Sequence, residues 1–106
     1  MRFLWLDTET TGLEVTDSAA FELAFILVDG GKMICEKCFF LNPLSETIKY
    51  HEESGKIHGY SEQDIKSFPD EREQMPKIAH FLEEARELWQ QDGSKSEKLV
   101  IAGYNV

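Results

Sequence analysis

The sequence predicts an α/β or α+β layer built around a mixed sheet, and three observations carry that reading. Short apolar runs lie near both ends of the chain, at 3–6 and 99–102. Two longer apolar runs, 21–28 and 33–41, flank Asp29-Gly30-Gly31. Ile78, Phe81, Leu82, Ala85, Leu88 and Trp89 recur at the spacing of one helix face.

Each element follows in order. Phe3-Leu4-Trp5-Leu6 is a continuous apolar run stopped by Asp7, as expected of a strand buried on both faces. The polar stretch 8–18, broken by Gly12, reads as a loop. The runs 21–28 and 33–41 read as strands two and three of a hairpin, because Asp29-Gly30-Gly31 is a tight-turn signal. Asn42-Pro43 ends it. A short helix is expected over 49–56, closed by Gly55 or Gly59. Ser61-Glu62-Gln63-Asp64 reads as a helix N-cap with an acid three residues on. The apolar stripe from Ile78 to Trp89 makes the main helix, with Pro76 in its first turn and its end near Asp92. The run 99–102 is the fourth strand, and the intervening helix lets it lie parallel to the first. The chain ends as that strand ends, so the sheet is expected to be truncated, with one face uncovered. Trp5 and Trp89 are read as core residues.

At 106 residues the chain has room for one domain. Its 42% hydrophobic and 11% aromatic content excludes disorder. No apolar run approaches a membrane span, and the first six residues are too short for a signal peptide. Two cysteines make no disulfide scaffold, so a reducing, cytoplasmic compartment is expected. The net charge of −9 argues against a broad duplex-binding surface. Much of that excess lies in 70–97, where eight acids face four bases, as on a solvated helix face.

The chemistry concentrates where the first strand ends. Asp7 and Glu9 are two apart, so strand geometry points both carboxylates into one space. Close carboxylates repel unless a proton or cation sits between them, and Mg2+ or Mn2+ would relieve that repulsion. Thr10-Thr11-Gly12 adds hydroxyls and a backbone open to close approach. A helix-loop-helix calcium site fails, since Thr11 and Ser18 stand where acids are required. An aspartyl-phosphate phosphatase would have Asp in place of Glu9 and is the runner-up. A non-catalytic module recruiting a partner through the open sheet is a further alternative. Cys35 and Cys38 form C-x-x-C, but on a strand they face opposite ways and no second pair exists to complete a zinc site. His51 and His80 read as surface residues. Glu22 faces either the carboxylate site or the sheet surface.

Leu6-Asp7-Thr8-Glu9-Thr10-Thr11-Gly12-Leu13 resembles the first motif of the DEDD 3′–5′ exonucleases, a family that includes proofreading subunits of bacterial replicative polymerases. Phe21-Glu22-Leu23-Ala24, Ile57-His58-Gly59-Tyr60-Ser61 and the segment 99–106 resemble later family segments in register. The resemblance implies a ribonuclease-H-like mixed sheet, ordered 3-2-1-4, with a fifth strand that this chain lacks. Residues 1–106 would then be the N-terminal portion of one exonuclease domain, from the first motif to the start of the second. It further implies two Mg2+ or Mn2+ ions about 4 Å apart, held in part by the catalytic acids Asp7 and Glu9. Thr10, Thr11, Gly12, Leu13 and His58 would hold the 3′-terminal nucleotide, with DNA favoured over RNA. The family's third and fourth acids and its general base fall outside 1–106, so this stretch alone is expected to be inactive. Self-association through the uncovered sheet is expected.

Overall fold

A computed structural model describes residues 2–90 and 100–103. Its elements are β1 (Arg2–Thr10), β2 (Ala20–Asp29), β3 (Lys32–Phe40), α1 (Glu52–His58), α2 (Glu62–Lys66), α3 (Glu71–Gln90) and β4 (Val100–Gly103). The four strands form one sheet in the order β3-β2-β1-β4. β2 is antiparallel to both β1 and β3, and β4 is parallel to β1. This is the mixed 3-2-1-4 sheet expected from the sequence.

The hairpin closes in two residues, Gly30 and Gly31, with φ of 57° and 83°. Two consecutive positive φ values match the right-handed twist of the flanking strands, and glycine adopts them without strain. β1 runs through Asp7 to Thr10, four residues past the end of its apolar run. Pairing with β2 carries it there, since Asp7, Thr8 and Glu9 each have a β2 partner.

Strand alternation divides the sheet into two faces. Leu4, Phe25, Leu27 and Phe39 are buried on one, against Ile78 and Ala85 of α3, with Leu6, Leu23, Cys35, Phe81 and Leu82 packed around them. From Ile78 to Ala85 the stripe read from the sequence is therefore the core-facing side of α3. The helix starts earlier than expected, at Glu71, so Pro76 lies inside it. Asp70 sets that start: its side chain accepts from the Arg72 amide (2.8 Å) and its carbonyl from the Glu73 amide (3.0 Å). The amide that Pro76 lacks would have met the carbonyl of exposed Arg72, which water can satisfy. Buried Gln74 ties α3 to the hairpin, its Nε2 donating to the Phe40 carbonyl at 2.7 Å.

The opposite face carries Trp5, Asp7 and Glu9 of β1, and their cross-strand partners Ile26, Ala24 and Glu22. No described helix covers it. Trp5 is consequently 48% exposed, which corrects its assignment to the core. The side chains of Leu88 and Trp89, the expected end of α3 near Asp92 and the segment 104–106 lie outside the described residues. Among the described residues no helix is long and apolar enough to cross a membrane.

α1 begins three residues later than expected and ends at Gly59, in the left-handed conformation. α2 has a full capping box: the Asp64 amide donates to Ser61 Oγ (3.0 Å) and the Ser61 amide to Asp64 Oδ2 (2.9 Å). Between these helices and the hairpin's end lies a second apolar cluster, centred on fully buried Phe21. Its ring meets His58 at 4.7 Å, Tyr60 at 5.5 Å and Phe68 at 6.3 Å between centroids.

Candidate functional site

Asp7 and Glu9 share the open face because they alternate within one strand. Register adds a third acid. Glu9 is paired with Glu22, and Glu22 with Phe40, so the three side chains form one row across β1, β2 and β3. Asp7, Ala24 and Cys38 form the adjacent row. Glu22 thus faces the carboxylate site, which resolves the alternative left open by the sequence. Among the described residues no group of three or more acidic, histidine or cysteine side chains is close enough to hold a metal ion. The carboxylate oxygens of Asp7 and Glu9 nonetheless make a donor set suited to a hard divalent cation.

Cys38 joins this face by donating to Glu22 Oε1 at 3.6 Å. Desolvation, then the Glu22 charge and this hydrogen bond, raise its thiol above the ordinary value. A raised pKa leaves less thiolate at any given pH, and thiolate is the nucleophile. In a Cys35→Ser background, Cys38 should react with iodoacetamide more slowly near neutral pH than a free cysteine. Glu22→Gln removes the charge and should shift the pH–rate profile downward. A profile that Glu22→Gln leaves in place would refute the coupling.

The loop at 11–19 is built from its own hydrogen bonds. Thr10 Oγ1 donates to the Gly12 carbonyl (2.9 Å), and the Thr11 hydroxyl accepts from the Ala19 amide (3.2 Å). Thr11 is fully buried, so its hydroxyl belongs to the loop's framework and is not presented to a ligand. Gly12 is buried beneath His51, where a side chain would collide with the imidazole and with Ser18 Oγ. Leu13 projects into solvent.

His58 ends α1, and its Nδ1 accepts from the Tyr60 amide at 3.0 Å. That bond fixes the proton on Nε2, which is buried with no hydrogen-bond partner among the described residues. A buried N–H donor without an acceptor is a costly feature of a fold, and a ligand oxygen would satisfy it.

Two residues escaped the sequence reading. Tyr60 packs against Phe40, the end of the acidic row, at 5.9 Å between centroids. Desolvation, then the charges of Glu22, Cys38, Glu9 and Asp64, hold its phenol above the ordinary value, so it stays a neutral donor beside the acids. Its only sequence signal was an aromatic directly after His58-Gly59. His51, read as a surface residue, is half-buried, and its Nε2 lies 3.0 Å from Asp17 Oδ1. That contact spans 34 residues, and local pattern carries no trace of it. His80 does lie on the surface, paired with Glu84 at 2.8 Å.

Comparison with known proteins matches the fold. No curated protein matches the sequence. Among solved structures, exonuclease I from Methylocaldum szegediense superposes with a TM-score of 0.65 at 21% identity, over 98% of this chain and 20% of that one. The metal-free E. coli ExoI–ssDNA complex gives 0.65 at 22% identity, over 98% and 20%. The nuclease domain of 3′hExo, a DEDDh family member bound to rAMP, gives 0.65 at 11% identity, over 96% and 50%. These likenesses are of fold, and the chain spans between a fifth and a half of the length of those proteins. At the level of sequence, the RNase_T exonuclease model matches residues 4–95, from β1 to beyond α3. With its acidic pair and the β1, β2 and β3 strands of its sheet inside that match, the chain belongs to the exonuclease family.

Proposed function

We propose that this chain is the N-terminal portion of a metal-dependent 3′–5′ exonuclease domain acting on a nucleic-acid 3′ end. The observation that carries the reading is the placement of Asp7 and Glu9 on one open face, beside Glu22. Asp7 and Glu9 would hold Mg2+ or Mn2+. Such an ion, when bound, neutralises phosphate charge and makes water a nucleophile near neutral pH. This explains how a chain of net charge −9 acts on a polyanion without a basic face.

The chain's own residues bind and orient. His58 Nε2–H is a donor awaiting an oxygen, and Leu13 offers an apolar surface to a base or sugar. We favour DNA, the nucleic acid held in the ExoI–ssDNA neighbour, over RNA. Residues 1–106 alone, with two of the family's four acids, should bind Mn2+ weakly and hydrolyse nothing.

The test uses the full-length protein that carries this chain, with single-stranded oligonucleotides labelled at either end. Mononucleotide release from the 3′ label, a shortening ladder from the 5′ label and complete block by EDTA are expected. Release from the 5′ end, or turnover in EDTA, would refute the proposal.

The open face also supports self-association of residues 1–106. Trp5, Ile26 and Met33 stand on it at least one-third exposed. A second copy would cover this apolar surface. Sedimentation should show dimers at tens of micromolar, dissociating with Trp5→Glu, and a monomer under those conditions would exclude this.

A further inference from the structure

The loop at 11–19 holds two apolar side chains in water, Leu13 at 89% exposure and Val15 at 90%. Burying them would be favourable, so their outward position needs a cause. The loop's base supplies one, and its contacts converge on His51. The His51 amide donates to the Thr11 carbonyl at 3.0 Å. Its Nε2 donates to Asp17 Oδ1 at 3.0 Å. Its ring fills the space that a side chain at Gly12 would need. Two residues earlier, the Lys49 amide donates to the Asp17 carbonyl at 2.8 Å. Residues 49–51 therefore grip both ends of the loop, Thr11-Gly12 on one side and Asp17 on the other. The tip carrying Leu13 and Val15 stands beyond the grip.

We infer that His51 is a positioning residue, clamping the loop's base so that Leu13 meets the terminal nucleotide as a preorganised apolar wedge. This rests on the exonuclease reading above. The physical gain is entropic: a tip fixed before binding has less freedom to lose when substrate arrives. His51 need not touch substrate, because it acts through Leu13. A merely structural His51 would instead lower overall stability, with an effect independent of Leu13.

The test is a double-mutant cycle in the full-length protein, with steady-state kinetics on a 3′-labelled single-stranded oligonucleotide. His51→Ala should raise KM about tenfold with kcat within about twofold. Leu13→Ala should do the same, and the double variant should be no worse than either single. His51→Gln keeps a donor for Asp17 and should restore KM to within about threefold of wild type. Asp17→Ala removes the same bond from the loop's side and should match His51→Ala; it decides the matter if His51→Ala fails to fold. Amide exchange over 11–19 should quicken in His51→Ala and stay unchanged elsewhere. Additive KM effects, a loss confined to kcat, or unchanged exchange over 11–19 would each overturn the clamp. Wild-type protein without 3′-end hydrolysis, or Asp7→Ala with full activity, would overturn the exonuclease reading instead.

Discussion

Asp7→Ala in the full-length protein should lower the rate of 3′-end hydrolysis by about 10²–10⁴-fold, since metal-assisted charge stabilisation is worth several kcal/mol and each 1.36 kcal/mol is tenfold. Glu9→Ala should fall in the same range. Stability should move the other way. Among the described residues neither Asp7 nor Glu9 has a hydrogen-bonded or ion-pair partner, and like charges on one face repel. Removing one should leave Tm unchanged or slightly raised in metal-free buffer. Adding Mn2+ should raise Tm in the wild type and not in the variants, because a cation that binds only the folded state stabilises it. A fall in Tm with retained activity would mean that these acids serve the fold.

That contrast bears on how much the sequence disclosed. The acidic pair was legible because strand alternation needs only neighbours two apart, and the hairpin because Gly30-Gly31 tolerates the φ values its turn demands. The core face of α3 was legible because Ile78, Phe81, Leu82 and Ala85 repeat at helical spacing. Trp5 was misplaced for a related reason: an apolar run shows that a strand is apolar on both sides, but not whether a layer covers each side. The start of α3 was missed because Pro76 reads as a first-turn residue, while the Asp70 cap that sets the boundary is a single side chain. Glu22, Tyr60 and His51 acquire their places from tertiary contacts. Register puts Glu22 beside Glu9, packing on Phe40 brings Tyr60 to that row, and a chain reversal lays His51 over Gly12.

The largest stability effect should come from Phe21. It is fully buried and holds together His58 and Tyr60, at the end of α1, with Phe68, just past α2. Phe21→Ala deletes a whole ring and leaves a cavity, which costs about 3–5 kcal/mol for a buried aromatic. Domains of this size have only about 5–15 kcal/mol in total, so the variant should be close to unfolded at 37 °C, visible as a much lower urea midpoint. Phe21→Leu keeps most of the volume and should fold with a smaller loss. It isolates a second consequence. The Phe21 edge contact holds the His58 ring while the Tyr60 amide fixes its tautomer, so a looser neighbour should let the imidazole turn away from that amide. Long-range 1H–15N spectra should then show wild-type His58 protonated at Nε2 alone, and a tautomer mixture in Phe21→Leu. A folded Phe21→Leu protein with an unchanged His58 tautomer would show that the Tyr60 amide orients this ring without help from the aromatic cluster.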